Sequence, residues 1–330
     1  MKVRQPVKLE DVAARAGVSK TTVSRVLNQR GYLSQATIKK VHQAMVELHY
    51  RPNAIARSLV KQENYLVGLV FPTVNDPFFG QLEAKLDEIL YRDGTRVLMG
   101  NSQNNPRKEE QYLKLLLNHQ ILGLIVGAHN PEIAEYPEID LPVVSIERYV
   151  GRHIPVVTSD GYQGGQLATQ RLIDDGCTKI IHTNNYPHQA TSTNEQRRRG
   201  YEDTMRGQGL VPCTYEVQFD APLAAKRAVF EQLFADHPDV DGIFADNDLN
   251  AGLIISIAHQ RGVRVPEDLK VVGYDGTDTS RAIMPELTTI QQPVDEMATA
   301  AVRLLKRRIA GEQDVASVTL PVKLLPGTTA

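Results

Sequence analysis

The sequence predicts an α/β protein, with a small all-α head followed by a two-lobed α/β core. Three observations predict this. Residues 1–62 place apolar side chains at helical spacing with no strand-like run. From residue 63 onward, short apolar runs alternate with helical stretches. That alternating scheme then occurs a second time with matching phrases: HQILGLIVGAH (119–129) parallels PDVDGIFADND (238–248), and DLPVVSIER (140–148) parallels DLKVVGYDG (268–276).

In the head, Leu9, Val12, Ala13 and Ala16 share one helical face. Gly17 suits a tight turn needing positive φ, and Ser19 is a favourable N-cap for a second helix. Val23, Val26 and Leu27 form that helix's apolar stripe, while Thr21, Ser24, Arg25 and Asn28 lie opposite. Ser34 caps a third helix with Ile38, Val41, Met45 and Leu48 inward, ending before RPN at 51–53, because the residue before a proline disfavours helix. Two helices joined by a three-residue turn make a helix-turn-helix.

Charge gives that motif a partner. The chain's net charge is −2, but residues 1–62 carry 12 Lys+Arg against 3 Asp+Glu. A basic head on an acidic body points to a polyanion, here duplex DNA. Short polar side chains let the second helix approach base edges, and Arg25 can pair with guanine through two hydrogen bonds or contact a phosphate. Lys2, Arg4, Lys8, Lys39 and Lys40 supply phosphate contacts.

In the core, strands are expected over 66–72, 96–100, 122–127, 142–146, 179–184, 215–219, 242–246 and 270–274. Helices are expected over 79–94, 107–120, 194–208, 222–236, 248–261 and 279–284. In such sheets a ligand sits beyond the carboxyl ends of the strands, and two lobes put two sets of ends across one cleft. Those ends carry Asp76, Phe78, Phe79, Glu147, Arg148, Asp160, Phe219, Asn247 and Asp275; Arg197 opens a helix and Gln292 lies in a return crossover. Aromatic faces stack on sugar C–H groups, and Asp, Asn and Arg bond adjacent hydroxyls, so the set suits a polyol.

LEDVAARAGVSKTTVSRVLN (9–28) resembles the DNA-binding head of the lactose-repressor (LacI/GalR) family, and HYRPNAIARSLV (49–60) resembles that family's link. The resemblance implies that Lys20, Thr21 and Arg25 read bases, with Lys8, Ser19, Thr22, Ser24 and Asn28 on the same DNA face. It implies a hinge helix capped by Asn53, with Leu59 wedged into the minor groove and Ala56 packed nearby. Seven residues are too few for a stable isolated helix, so the hinge is expected to form only when paired in a dimer on DNA. Residues 64–325 resemble periplasmic sugar-binding proteins. That implies a periplasmic-binding-protein-like core in which Phe78 and Phe79 stack on sugar after Asp76, Arg197 and Asp275 form the main ligand pair, and Asn247, Phe219, Asp160 and Glu147-Arg148 occupy further ligand positions. Gly276 stands where an acid is common. Phrases such as NSQNNP (101–106) and TTIQQP (288–293) are most similar to sucrose-operon repressors of Gram-positive bacteria, with ribose repressors next.

The expected organisation is a helix-turn-helix head over 1–52, a hinge over 53–62 and a two-lobed effector and dimerisation domain over 63–330. Lobe 1 takes about 63–160 and 293–322, and lobe 2 about 161–292. The expected partners are operator DNA, a sugar or sugar-phosphate effector and a second copy of the chain. Arg148 and Arg197 can serve a free sugar or its phosphate, and induction and co-repression both stay open.

Other classes are disfavoured. There is no nucleotide-binding glycine motif, no phosphate loop and no nucleophile elbow, so no enzyme and no cofactor are expected. Cys177 and Cys213 have no metal-ligand spacing, and His182 and His188 are expected at the surface. No apolar run approaches about 18 residues and the start lacks an apolar signal segment, so the expected compartment is the cytoplasm rather than a transport system.

Overall fold

The computed structural model describes residues 7–27, 31–48, 50, 66–103, 105–127, 133, 136, 140–186 and 192–330. Asn28, Asn53, Ala56, Leu59 and His188 lie outside the described residues, as do Lys2 and Arg4. The chain divides into two units, residues 1–64 and 65–330.

The head contains α1 (Leu9–Ala16), α2 (Lys20–Leu27) and α3 (Gln35–Glu47). Asp11 accepts a hydrogen bond from the Lys8 amide at 2.7 Å, which satisfies an open amide at the start of α1. Gly17 ends α1 at φ 65, and Val18 N–H donates to Ala13 O at 3.1 Å. Ser19 Oγ accepts from Thr22 N–H, and Ser34 Oγ from Thr37 N–H, so both sequence-predicted caps form. Val12, Val23 and Val41 are fully buried and join the three helices in one small core. On α3 the deepest residues are Val41 and Ala44, while Ile38, Met45 and Leu48 pack at the core's edge.

The core holds two six-stranded sheets. Sheet 1 has the order β11-β5-β4-β3-β1-β2, built from β1 (Leu66–Phe71), β2 (Arg96–Asn101), β3 (Gly123–Val126), β4 (Val143–Ile146), β5 (Val156–Ser159) and β11 (Val318–Leu320). Sheet 2 has the order β12-β10-β9-β8-β6-β7, from β6 (Ile180–Tyr186), β7 (Cys213–Gln218), β8 (Gly242–Phe244), β9 (Lys270–Asp275), β10 (Thr288–Gln291) and β12 (Lys323–Leu325). Every pairing is parallel except β10 with β12. Parallel sheets need helices on both faces, and this explains the near-continuous burial of β1, β3, β4 and β9.

Lobe 1 carries α4 (Pro77–Arg92) and α5 (Pro106–Leu117), and lobe 2 carries α6 (Gly161–Asp174), α7 (Thr193–Gly207), α8 (Leu223–Asp236), α9 (Asp248–Gln260) and α10 (Asp278–Ile283). The last helix, α11 (Val294–Ile309), returns to lobe 1 and buries Met297, Ala301, Leu304 and Leu305 against it. The chain therefore crosses between the sheets three times: after β5, after β10 and between β11 and β12. α4 starts two residues earlier than its apolar pattern implies. Asp76 caps it, and Pro77 suits the first helical turn.

In lobe 2, α6 and α7 touch through glycines. A Cβ at Gly165 would sit 2.1 Å from Arg197 O, and one at Gly200 would sit 2.2 Å from Tyr162 O. Gly165→Ala is therefore expected to destabilise the core by about 1–3 kcal/mol, although alanine is ordinarily the better helix former. Denaturant unfolding checks it; a variant as stable as the parent would contradict this packing.

Glu83 on α4 is only 3% exposed, and its Oε1 has no hydrogen-bond partner among the described residues. Burial, with Asp87 second, pushes its carboxyl up to about 7. The fold thus favours protonated Glu83. That contribution is present below the ordinary value of 4.5 and is lost as pH rises through about 7. Glu83→Gln keeps the shape without the charge. It is expected to raise the Tm by a few degrees near pH 8 and to change it little near pH 4. An equal or lower Tm near pH 8 would contradict the assignment.

Candidate functional site

Two regions of the chain carry the chemistry. The first is the polar face of α2. Ser19, Lys20, Thr21 and Arg25 are exposed there, Thr22 and Ser24 are half-buried, and Lys8 is exposed just before α1. Val23 and Val26 anchor the opposite face. Lys20 Nζ pairs with Glu10 Oε1 at 2.5 Å, and the ammonium holds the Glu10 carboxyl below its usual range. The pair is solvent-exposed, so Lys20 can readily exchange Glu10 for a base or a phosphate. The Arg25 guanidinium lies over Gly31, where an added Cβ would meet its Nη2 at 2.3 Å.

The second region is a pocket between the strand ends of the two lobes, open to solvent. Of the cleft residues predicted from sequence, Asp76, Phe78, Phe79, Glu147, Arg197, Phe219, Asn247, Asp275 and Gln292 line it.

The aromatic wall is built from three rings. Phe78 and Phe79 open α4, with centroids 5.1 Å apart at 70°. Phe219, after β7 of the other lobe, meets Phe79 edge-on at 6.1 Å. Asp76 sits beside them and accepts from Phe78 and Phe79 N–H at 3.0 and 3.2 Å, so its carboxylate also orients the ring pair.

The polar wall is a connected network. Glu147 Oε1 accepts from Ser159 N–H at 2.7 Å; Ser159 Oγ donates to Gln292 Oε1 at 2.6 Å; Gln292 Nε2 donates to Asp275 Oδ1 at 2.8 Å. Arg197 stacks on the Tyr274 ring at 3.5 Å and donates through Nη1 to Asp246 O at 2.6 Å. Its Nε is buried without a partner among the described residues. Asn247 caps α9 by accepting from Asn250 N–H at 2.8 Å.

Two of these residues hold left-handed backbone: Glu147 at φ 60 and Asp275 at φ 106. Non-glycine residues adopt such values at a cost and cluster at functional sites. Burial raises the carboxyl pKa of Asp76, Glu147, Asp246 and Asp275, well above the ordinary value for Asp275, where Asp76 adds to the effect. Protonated or ionised, these groups are arranged to exchange hydrogen bonds with hydroxyls.

Two predicted ligand residues do not line the cavity. Arg148 is buried elsewhere in lobe 1, where Glu109 and Tyr136 act on its guanidinium. The left-handed turn at Glu147 sends the two neighbouring side chains in different directions. Asp160 instead caps α6, accepting from Gln163 N–H at 2.9 Å. His182 also departs from expectation. It lies within β6, fully buried, stacked on Phe244 at 4.5 Å with Nδ1 2.9 Å from Phe244 O. Burial lowers its pKa to about 3, so it is neutral.

Sequence reasoning missed Asn185, Ser192, Thr193, Asn194 and Asp246 in the lining. Ser192 was legible as the N-cap of α7, and Asn185 and Asp246 as strand-end residues; Thr193 and Asn194 carry no such signal. No group of three or more potential metal ligands occurs among the described residues, and no helix there is long and apolar enough to cross a membrane.

Residues 8–53 match the model of bacterial regulatory proteins of the lacI family, and residues 169–330 match a periplasmic binding protein-like domain. A sucrose operon repressor of Pediococcus pentosaceus is 44% identical over 98% of this chain and 99% of its own length. The chain belongs to the lacI family of bacterial regulatory proteins. As a lacI-family member it is a DNA-binding transcriptional repressor and not an enzyme. Two solved structures extend the likeness. A periplasmic binding protein/LacI regulator of Alkaliphilus metalliredigens in complex with D-xylulofuranose superposes with a TM-score of 0.72, at 30% identity, covering 81% of this chain and 99% of its own. The lac repressor dimer bound to operator and the anti-inducer ONPF superposes at 0.77, with 25% identity, covering 98% and 99%. The expected fold, an all-α head with a two-lobed α/β core, is the fold of this family.

Proposed function

We propose that this lacI-family repressor controls a carbohydrate-utilisation operon, for sucrose, by binding a palindromic operator as a homodimer and responding to a sugar in the cleft. The observation that carries the proposal is the cavity itself, where an aromatic wall faces a network of carboxyl, amide and guanidinium groups across two lobes. Likeness along the whole chain to a sucrose operon repressor supports the choice of sucrose. The protein works in the cytoplasm, on the nucleoid when operator-bound.

In this reading Lys20, Thr21 and Arg25 read bases, while Lys8, Ser19, Thr22, Ser24 and Asn28 hold the helix in the groove. Asn53, Ala56 and Leu59 belong to a hinge helix that forms on DNA. Twofold symmetry makes the operator a palindrome. Sugar binding biases the lobes toward one arrangement, and operator binding must then disfavour or favour that sugar by the same factor.

The test is a gel-shift titration of a palindromic operator with and without sucrose, at two salt concentrations. Operator affinity is expected to change about 5–150-fold with the effector and to fall steeply with salt. Operator affinity that no sugar changes would overturn the proposal.

A further inference from the structure

We infer that the cleft is built for an uncharged polyhydroxylated ligand, a free sugar, and discriminates against its phosphate ester. This rests on the reading of the cleft as a sugar site and deepens it. On sequence alone, two arginines stood beside the cleft and a phosphorylated ligand was equally acceptable. The structure removes one of them: Arg148 faces Glu109 and Tyr136 inside lobe 1.

Among the described lining residues the remaining cation is Arg197, and much of its capacity is already engaged. One face lies on the Tyr274 ring, and Nη1 donates to Asp246 O. Against it stand four carboxyl groups in the same lining, those of Asp76, Glu147, Asp246 and Asp275. Lys226 is outside that lining, with Nζ 5.8 Å from the Phe219 centroid; its charge reaches Asp76 and Asp246 and offsets part of theirs.

The start of α7 brings Ser192, Thr193 and Asn194 to the cavity, and a helix N-terminus by itself favours an anion. Here that preference is opposed. Ser192 Oγ already accepts from Glu195 N–H, so it serves the helix. A phosphate dianion would also sit in a weakly screened space near several carboxyl groups. Ionised carboxylates repel it directly; carboxyls that take up protons to receive it make binding costlier as pH rises. A hydroxylated neutral ligand meets no such opposition. Carboxyl and amide oxygens accept from its hydroxyls, the buried Arg197 Nε donates to one, and the three phenylalanine rings cover its C–H face.

Titration calorimetry of the full chain with sucrose, sucrose 6-phosphate, fructose and fructose 6-phosphate decides the matter. The free sugar that binds is expected to bind on the order of 100-fold more tightly than its phosphate ester. Asp76→Asn keeps the α4 cap and removes one charge, so the preference is expected to narrow on the order of tenfold. A phosphate ester that binds as tightly as its parent sugar overturns the inference, as does a preference unchanged by Asp76→Asn. If no sugar of either kind binds while the protein still binds operator, the sugar-site reading itself falls, and this inference with it.

Discussion

Arg197→Ala is expected to abolish the effector response while leaving operator binding intact. Among the described residues of the cavity lining the guanidinium is the single cation; it is buried, stacks on Tyr274 and donates to Asp246 O. Its loss removes the cation that acts on Glu147 and Asp275, and donors that a hydroxyl would use. Deleting one partner from such a buried network costs about 2–5 kcal/mol, roughly a 30- to 4,000-fold loss of sugar affinity. The head lies in a separate unit with its own core, so operator affinity without sugar should stay within about twofold, inside the additivity expected for distant sites. Calorimetry and gel shift on one preparation read both quantities. A variant that still responds to sugar at the parent's concentration would remove Arg197 from the site.

Arg25→Ala is expected to produce the mirror image: sugar binding unchanged and operator binding lost. Arg25 is exposed on the polar face of α2, whose opposite face is fixed by Val23 and Val26, so truncating it should not unfold the head. A well-formed arginine–guanine pair discriminates by about 1–3 kcal/mol, and a dimer uses two heads, giving about 2–6 kcal/mol or a roughly thirtyfold to twenty-thousandfold loss. Binding to unrelated duplex should fall far less, because other groups supply phosphate contacts. Competition gel shifts with operator and scrambled duplex separate the two effects. Equal losses on both duplexes would make Arg25 a phosphate contact rather than a reader.

Much of the fold was legible because its signals are local. Helical spacing placed α1–α3, and Ser19, Gly17 and Ser34 marked their ends; the structure forms those caps. Apolar runs marked eight strands of the core. The short β5, β10, β11 and β12 were not assigned as strands, since β11 and β12 are three-residue outer strands with little burial pattern of their own. They pair only because the two sheets already exist.

The sequence by itself determined what kind of protein this is. A basic helix-turn-helix face and two strand-end clusters of aromatic and polar residues are set by local spacing, and local spacing survives in any context. Tertiary structure decided which of those residues meet. Glu147 and Arg148 are adjacent in the chain, yet a left-handed turn places one at the cavity and the other inside lobe 1. Ser159 joins Gln292 across 133 residues of sequence, and Asp246 enters the lining beneath Arg197. His182, polar by type, is buried because β6 is paired on both sides, by β7 and β8, and the ring stacks on Phe244. Such contacts depend on where whole sheets and helices pack, and no run of neighbouring residues encodes them. The net charge of the cavity, and with it the preference for a neutral ligand, is decided at that level.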